Sequence, residues 1–174
     1  WISSYPKSGN TWMRFLISNY YFNRSTELNV QIADNNILMF PQLSLMKKII
    51  DKKTIIENPF NISKYWLDLQ KGVNIEGGNV VFLKNHNALV SIEKNDFTNM
   101  ELTLGAVYIV RDPRDVVISY AHYRNDSYDK IISDICDDKL FYNMSSIDNY
   151  PYIEILGSWS YHYKSCLLYT SPSP

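Results

Sequence analysis

The sequence predicts an α/β protein of one domain, with helices packed on a parallel sheet. Its 174 residues are enough for one domain with its own core, and 45% hydrophobic with 20% charged residues is ordinary for a globular chain. Three short apolar runs predict strands, at residues 1–2, 80–83 and 106–110. Polar residues of chemical use follow each run. Because sites in open parallel sheets gather at the carboxyl ends of strands, we expect these residues to share one crevice.

The first run leads into a loop, residues 4–12, with the composition of an anion site. Pro6 and Gly9 punctuate the loop. It contains three short polar side chains of the kind that begin helices: Ser8, Asn10 and Thr11. The following helix would point its free N–H groups and the positive end of its dipole into the loop, where Lys7 adds a full charge. Phosphate suits this arrangement best; the alternative is a Pro-Gly turn with a helix cap.

Residues 11–23 predict a helix with a broad apolar stripe. The stripe consists of Trp12, Phe15, Leu16, Ile17, Tyr20 and Tyr21. We expect this stripe to pack on the sheet as core, with Trp12 as the exception because it adjoins the anion loop.

Residues 25–78 carry fewer signals. Helices are predicted at 43–50 and at 62–69, the second beginning at Ser63, and a turn at 77–79. The following run at 80–83 is apolar throughout, which predicts a strand buried on both faces.

Arg111 follows the third apolar run directly, and its planar set of N–H donors can hold phosphate oxygens in pairs. Ser119 follows eight positions later, about two turns into a helix predicted over 116–123. Asp115 is the expected cap of that helix. Two alternatives stay open: a salt bridge from Arg111 to Asp112 or Asp115, and a plain surface role for Ser119.

A candidate proton acceptor, His86, follows the second run, two positions after Lys84. Imidazole suits proton removal near neutral pH, and the charge of Lys84 would favour its neutral form. The two other histidines are expected to be structural. His122 would at most pack beside the substrate region, and His162 would be exposed beside a core residue, Trp159.

Charge and cysteine usage restrict the class of partner. A net charge of −1 argues against non-specific binding of nucleic acid. Cys136 and Cys166 make neither a disulfide framework nor a metal-ligand spacing, which favours a reducing compartment and thus a cytoplasmic location. No apolar run approaches the ~20 residues that span a bilayer. The chain begins at Trp1 instead of Met, so we expect it to be a fragment.

Three segments together resemble the sulfotransferases that use 3′-phosphoadenosine 5′-phosphosulfate (PAPS). Residues 4–12 are similar to the family's phosphosulfate-binding loop, with Asn10 where Thr is usual. The segment from Arg111 to Ser119 resembles the one that binds the 3′-phosphate. Residues 84–86 are similar to the family's Lys-Thr-His, with Asn85 in place of Thr.

The resemblance implies a P-loop-like fold: a single α/β domain with a parallel sheet flanked by helices, here incomplete at the C-terminus. Catalytic roles would fall to Lys7 on the leaving phosphate, His86 as the base and Lys84 as a charge-stabilising group. The cofactor-binding residues would be Lys7, Ser8, Gly9, Asn10, Thr11, Trp12, Arg111 and Ser119. Among them, Trp12 would stack on the adenine ring. No metal is required.

The domain is expected to occupy residues 1–165, with an unstructured or foreign tail at 166–174. The implied reaction moves a sulfuryl group to a hydroxyl or amine of a small-molecule or glycan acceptor, whose identity stays open, as does the oligomeric state. Two alternatives are a kinase-like phosphotransferase and a non-catalytic nucleotide-binding module. The order of Lys7 and Gly9 argues against the first, because the lysine of a Walker loop follows its glycine.

Overall fold

A four-stranded parallel sheet organises the fold. The protein is represented by a computed structural model, which describes residues 1–23, 36–73, 80–145 and 150–170. The strands are β1 (Ile2–Ser4), β2 (Ile37–Met39), β3 (Phe82–Asn85), β4 (Ser91–Ile92), β5 (Asn95–Asp96), β6 (Val107–Ile109), β7 (Phe141–Ser145) and β8 (Pro151–Ile155). The sheet has the order β2-β3-β1-β6, and β4–β5 and β7–β8 form antiparallel hairpins. The predicted α/β class is therefore confirmed.

Helices flank the sheet and join its strands. They are α1 (Asn10–Ser18), α2 (Leu43–Ile49), α3 (Lys52–Glu57), α4 (Trp66–Lys71), α5 (Pro113–Arg124), α6 (Tyr128–Ile135) and α7 (Trp159–Thr170). A π-helical turn, Asn19–Asn23, extends α1, and a 3-10 helix, Pro59–Tyr65, precedes α4. The helix predicted at 43–50 is confirmed as α2. The one predicted at 62–69 is split between the 3-10 helix and α4, and the turn predicted at 77–79 lies outside the described residues.

Strand pairing brings the predicted site segments to one edge of the sheet. In the parallel register, Ser3 of β1 lies opposite Asn85 of β3 on one side and Tyr108 of β6 on the other. The residues that follow β1, β3 and β6 therefore leave the sheet side by side. This adjacency agrees with the grouping of the three polar segments that the apolar runs predicted.

The apolar stripe of α1 is the main correction to the predicted packing. Its exposed members are Trp12, Leu16, Tyr20 and Tyr21, whereas Asn10, Arg14 and Ser18 are the buried residues of α1. The Asn10 amide donates to the carbonyl of Ile2 and to the hydroxyl of Ser4, which turns the polar face of the helix towards β1. A hydrophobic period marks an amphipathic helix, but here polar contacts decide which face is buried.

Strand β3 and helix α5 also differ from their predictions. Along β3, burial alternates, with Leu83 and Asn85 buried and Lys84 half-buried, so the strand is not enclosed on both faces. Helix α5 begins at Pro113, and its cap is Asp112 instead of Asp115. Proline suits the first helical position because its missing N–H is one that the helix leaves unbonded.

Two hydrophobic cores fix these elements. The first gathers Phe40, Met46, Trp66, Leu69, Phe97 and Ile153 with their neighbours. The second gathers Tyr5, Val116, Tyr120, Ile131, Leu140 and Leu156, and the half-buried Trp159 packs against it. Helix α7 reaches Thr170, so residues 166–170 of the expected tail are helical. Residues 171–174 lie outside the described part, and the domain boundary stays a prediction.

Candidate active site

The loop after β1 and the segment after β6 are in direct contact. Ser4 pairs with Ile109 in the register of the sheet, so the two chains leave the sheet as neighbours. The Arg111 guanidinium then donates through Nη1 to the carbonyl of Lys7, at 3.1 Å. The structure thus brings together the two segments whose cations the resemblance assigned to opposite ends of one ligand.

The backbone of the first loop has the shape of an anion cradle. Lys7 and Gly9 are both left-handed, with φ of 65° and 108°. Left-handed residues in a tight turn point successive N–H groups into one concavity. Gly9 precedes α1 without a side-chain cap, so the first N–H groups of the helix also face the loop. A β-carbon at Gly9 would meet one atom at 3.8 Å, so glycine is needed here for its conformation and not for space.

The side chains of Ser8 and Asn10 differ in their hydrogen bonds within the protein. The hydroxyl of Ser8 is buried, and no atom of the described residues forms a hydrogen bond with it. A buried hydroxyl is costly unless it is bonded, so this group fits a ligand oxygen. The Asn10 amide, in contrast, already donates to the Ile2 carbonyl and the Ser4 hydroxyl. Asn10 can therefore offer its backbone N–H to a ligand, but its amide nitrogen serves the fold.

The last two residues of the loop are open to solvent. Thr11 and Trp12 are exposed at the start of α1, Trp12 at 67%. The indole touches Phe15 edge-on, with the ring centroids 6.4 Å apart. Burial as a core tryptophan is thereby excluded for Trp12. The Lys7 ammonium lies 4.4 Å from the centroid of the Tyr123 ring, a cation–π contact that holds it beside the crevice.

The two arginines that follow β6, Arg111 and Arg114, have different partners. Asp112 accepts hydrogen bonds from the backbone N–H and the guanidinium of Arg114, which hold the pKa of its carboxyl at about 2. The Arg111 guanidinium lies 3.8 Å from the Asp115 carboxylate, so the salt bridge left open as an alternative is present, with Asp115 as the partner, together with the bond to the first loop. Ser119 is half-buried on α5, about two turns after its start.

His86 is held so that one ring nitrogen can accept a proton. Its Nδ1 lies 2.9 Å from the carbonyl oxygen of Ser4. A carbonyl can only accept, so Nδ1 carries the hydrogen and Nε2 carries the lone pair. Burial, and then the charge of Lys84, lowers the pKa of His86 from 6.5 to about 3. The imidazole is therefore neutral at pH 7, as the sequence predicted from its neighbour.

The turn that carries His86 is fixed by two buried asparagines. The Asn85 side chain accepts from the N–H of Asn87 at 2.9 Å and donates to its carbonyl at 3.0 Å. Asn87 in turn accepts from the N–H of Ile155 at 2.7 Å. Asn85, which stands where the resembling segments have Thr, thus has a structural role here.

His162 is the residue that sequence reasoning placed wrongly. It was expected to be exposed, yet it is fully buried. Its Nε2 lies 3.0 Å from the carbonyl oxygen of His86, and its Nδ1 lies 2.7 Å from the hydroxyl of Tyr108. His162 is buried because it lies on the face of α7 that packs against the sheet. Its position three residues after Trp159, on the same face of a helix, is the signal that could have indicated burial.

A carboxyl group was also missed. Glu154 on β8 is half-buried, and burial raises its pKa while the charge of Lys84 opposes that rise. Glu154 is thus an electrostatic neighbour of Lys84. Its surroundings come from the β7–β8 hairpin, which no local motif predicted.

Three absences apply to the described residues alone. No helix among them is long and apolar enough to cross a membrane. No group of three or more His, Cys, Asp or Glu side chains in that part could hold a metal ion. Both cysteines, Cys136 and Cys166, are in the thiol form.

The fold and the first loop together define a class of protein. A parallel α/β sheet carries a left-handed, lysine-bearing loop before a helix, which is the arrangement of a P-loop-like protein. A family model described as "Sulfotransferase domain" matches residues 1–173, and the chain belongs to this family. No curated protein matches the chain.

Proposed function

We propose that this chain is the catalytic domain, or part of it, of a PAPS-dependent sulfotransferase that acts on a hydroxyl or amine. The observation that supports the proposal is the hydrogen bond from the Arg111 guanidinium to the backbone carbonyl of Lys7, because it joins the two segments that carry these cations. A donor with phosphates at two positions of one nucleotide needs two such sites at a fixed separation. Family membership supports the transfer of a sulfuryl group.

The residues present fit this donor. The buried hydroxyl of Ser8 and the N–H groups at the start of α1 would hold the 5′-phosphate. Arg111 and Ser119 would hold the 3′-phosphate, and the exposed face of Trp12 would stack on the adenine ring. When bound, PAPS supplies the sulfuryl group and leaves as adenosine 3′,5′-bisphosphate.

The chain's own part in the reaction is positioning, charge and one proton. Nε2 of His86 would take the proton of the acceptor hydroxyl or amine while the acceptor atom bonds to sulfur. Lys7 would leave Tyr123 and neutralise the charge on the departing phosphate oxygen. An anionic donor beside His86 would raise its pKa above the value in the free protein, which strengthens the base when it is needed.

The donor site is tested by calorimetric binding of adenosine 3′,5′-bisphosphate to Arg111→Ala and Arg114→Ala. Both arginines are exposed, belong to the same segment and have an aspartate partner, but the pair of Arg114 with Asp112 is closer, at 2.6 Å against 3.8 Å for Arg111 with Asp115. We expect Arg111→Ala to weaken binding about 10- to 100-fold, the value of a charge-assisted hydrogen bond, and Arg114→Ala to change it by less than about twofold. Equal losses in the two variants would contradict the assigned site.

The base is tested by transfer of labelled sulfate from PAPS to a panel of phenols, alcohols and amines. His86→Ala should lower kcat by about 10²- to 10⁴-fold and leave the affinity for adenosine 3′,5′-bisphosphate unchanged. His122→Ala, at an exposed histidine, is the matched control. Binding with no transfer to any acceptor would instead indicate a non-catalytic module, and consumption of ATP would indicate a phosphotransferase.

A further inference from the structure

A buried histidine joins the turn of His86 to two other elements. His162 on α7 contacts the His86 carbonyl through Nε2 and the Tyr108 hydroxyl through Nδ1. Its ring stacks on that of Tyr108, with the centroids 5.6 Å apart and the planes at 29°. The ring of Tyr5 meets it edge-on at 5.4 Å. His162 is therefore fixed on two faces and at both of its nitrogens.

The partners determine where each hydrogen lies. The carbonyl of His86 can only accept, so Nε2 of His162 carries the hydrogen. Nδ1 then holds a lone pair, and the hydroxyl of Tyr108 donates to it. Burial lowers the pKa of His162 to about 4, so this neutral form persists at pH 7. Each polar atom of the imidazole has one bond.

We propose that His162 is a positioning residue for His86, with Tyr108 holding its second ring nitrogen. The proposal rests on the proposed function, because it concerns the base of that reaction. His86 is held at two points: its ring by the Ser4 carbonyl, and its backbone by His162. With both points fixed, the ring of His86 keeps one orientation.

A space-filling role does not account for these contacts. An aromatic hydrocarbon side chain would fill the same volume between Tyr5 and Tyr108 without the cost of burying two ring nitrogens. It would also leave the carbonyl of His86 without the donor that it has now. A small displacement of a catalytic group can lower the reaction rate by a large factor. By holding His86 in place, the imidazole of His162 would prevent such a displacement.

The experiment compares His162→Phe, His162→Gln and Tyr108→Phe in the full chain. Two quantities are measured: kcat and the donor KM per folded molecule, and the ¹⁵N shifts of the His86 ring in the free protein. Phenylalanine removes the donor to the His86 carbonyl, whereas the amide of glutamine can restore it from the position of Nε2. Tyr108→Phe retains that donor and removes only the hydrogen bond to Nδ1 of His162.

We expect His162→Phe to lower kcat about 10- to 100-fold with the donor KM within about twofold, and to move the two ¹⁵N shifts of His86 towards each other as its tautomers mix. His162→Gln should regain most of the rate and of the shift separation, and Tyr108→Phe should be intermediate. Unchanged His86 shifts in folded His162→Phe, or no recovery in His162→Gln, would overturn the proposal. Should the wild type transfer no sulfate while its His86 shifts still depend on His162, the proposed function fails and the positioning role stands.

Discussion

Lowering the pH from 7 to 5 should destabilise this fold, and His162 should account for a measurable part of the loss. Burial lowers the pKa of His162 from 6.5 to about 4. At pH 5 the unfolded chain therefore binds a proton at this ring and the folded chain does not. A group with a lowered folded pKa contributes stability above its unfolded pKa, and the contribution is lost as the pH falls towards the folded pKa.

The magnitude follows from the two pKa values of His162. Between pH 7 and pH 5, a shift from 6.5 to about 4 removes about 2 kcal/mol from the free energy of unfolding. His86 acts in the same direction, since its pKa is lowered to about 3, but its half-buried ring is partly screened by solvent. Against a typical stability of about 5–15 kcal/mol, the loss from His162 alone is large.

The assay is urea unfolding at pH 7, 6 and 5 for the wild type, His162→Gln and His122→Gln. The last variant controls for the removal of a histidine, because His122 is exposed. Burial raises the pKa of Glu154, which acts with the opposite sign, but that carboxyl is present in all three proteins. His162→Gln should lose about 2 kcal/mol less than the wild type between pH 7 and pH 5. Equal losses in these two proteins would refute the burial argument.

Two further perturbations address the first loop. Gly9→Ala should lower the free energy of unfolding by about 1–2 kcal/mol and weaken binding of adenosine 3′,5′-bisphosphate, because φ is 108° at this position. Calorimetry should show neither change in the control Gly105→Ala, where a β-carbon would lie in open space. Tyr123→Leu should release Lys7 from its cation–π contact and tighten binding about two- to fivefold, against Tyr128→Leu as an exposed control. Weaker binding in Tyr123→Leu would show that the ring assists Lys7.

The sequence was sufficient for those parts of the site that depend on local signals. Lys7 and Gly9 stand in a loop between a strand and a helix, and both adopt the backbone that such a loop requires. The meeting of Lys7 with Arg111 follows from a simple rule, because parallel neighbours expose their carboxyl ends together. That β1 and β6 are neighbours, in contrast, is known only from the pairing in the structure.

What sequence could not supply was the direction of a helix face. The stripe of α1 predicted burial for residues such as Leu16, which is exposed, while Arg14 is buried. The burial of His162 depends on Tyr108, 54 positions away in the chain. Periodicity shows that a helix has two faces, but contacts between distant residues decide which face meets the sheet.

Ser4 shows why these contacts matter for the chemistry. It is fully buried at the end of β1, where its carbonyl accepts from His86 and its hydroxyl accepts from Asn10. The ring of His86 and the start of the first loop are thus both bonded to one residue. Under the proposed function, the base and the donor-binding loop would therefore be positioned by the same short piece of backbone.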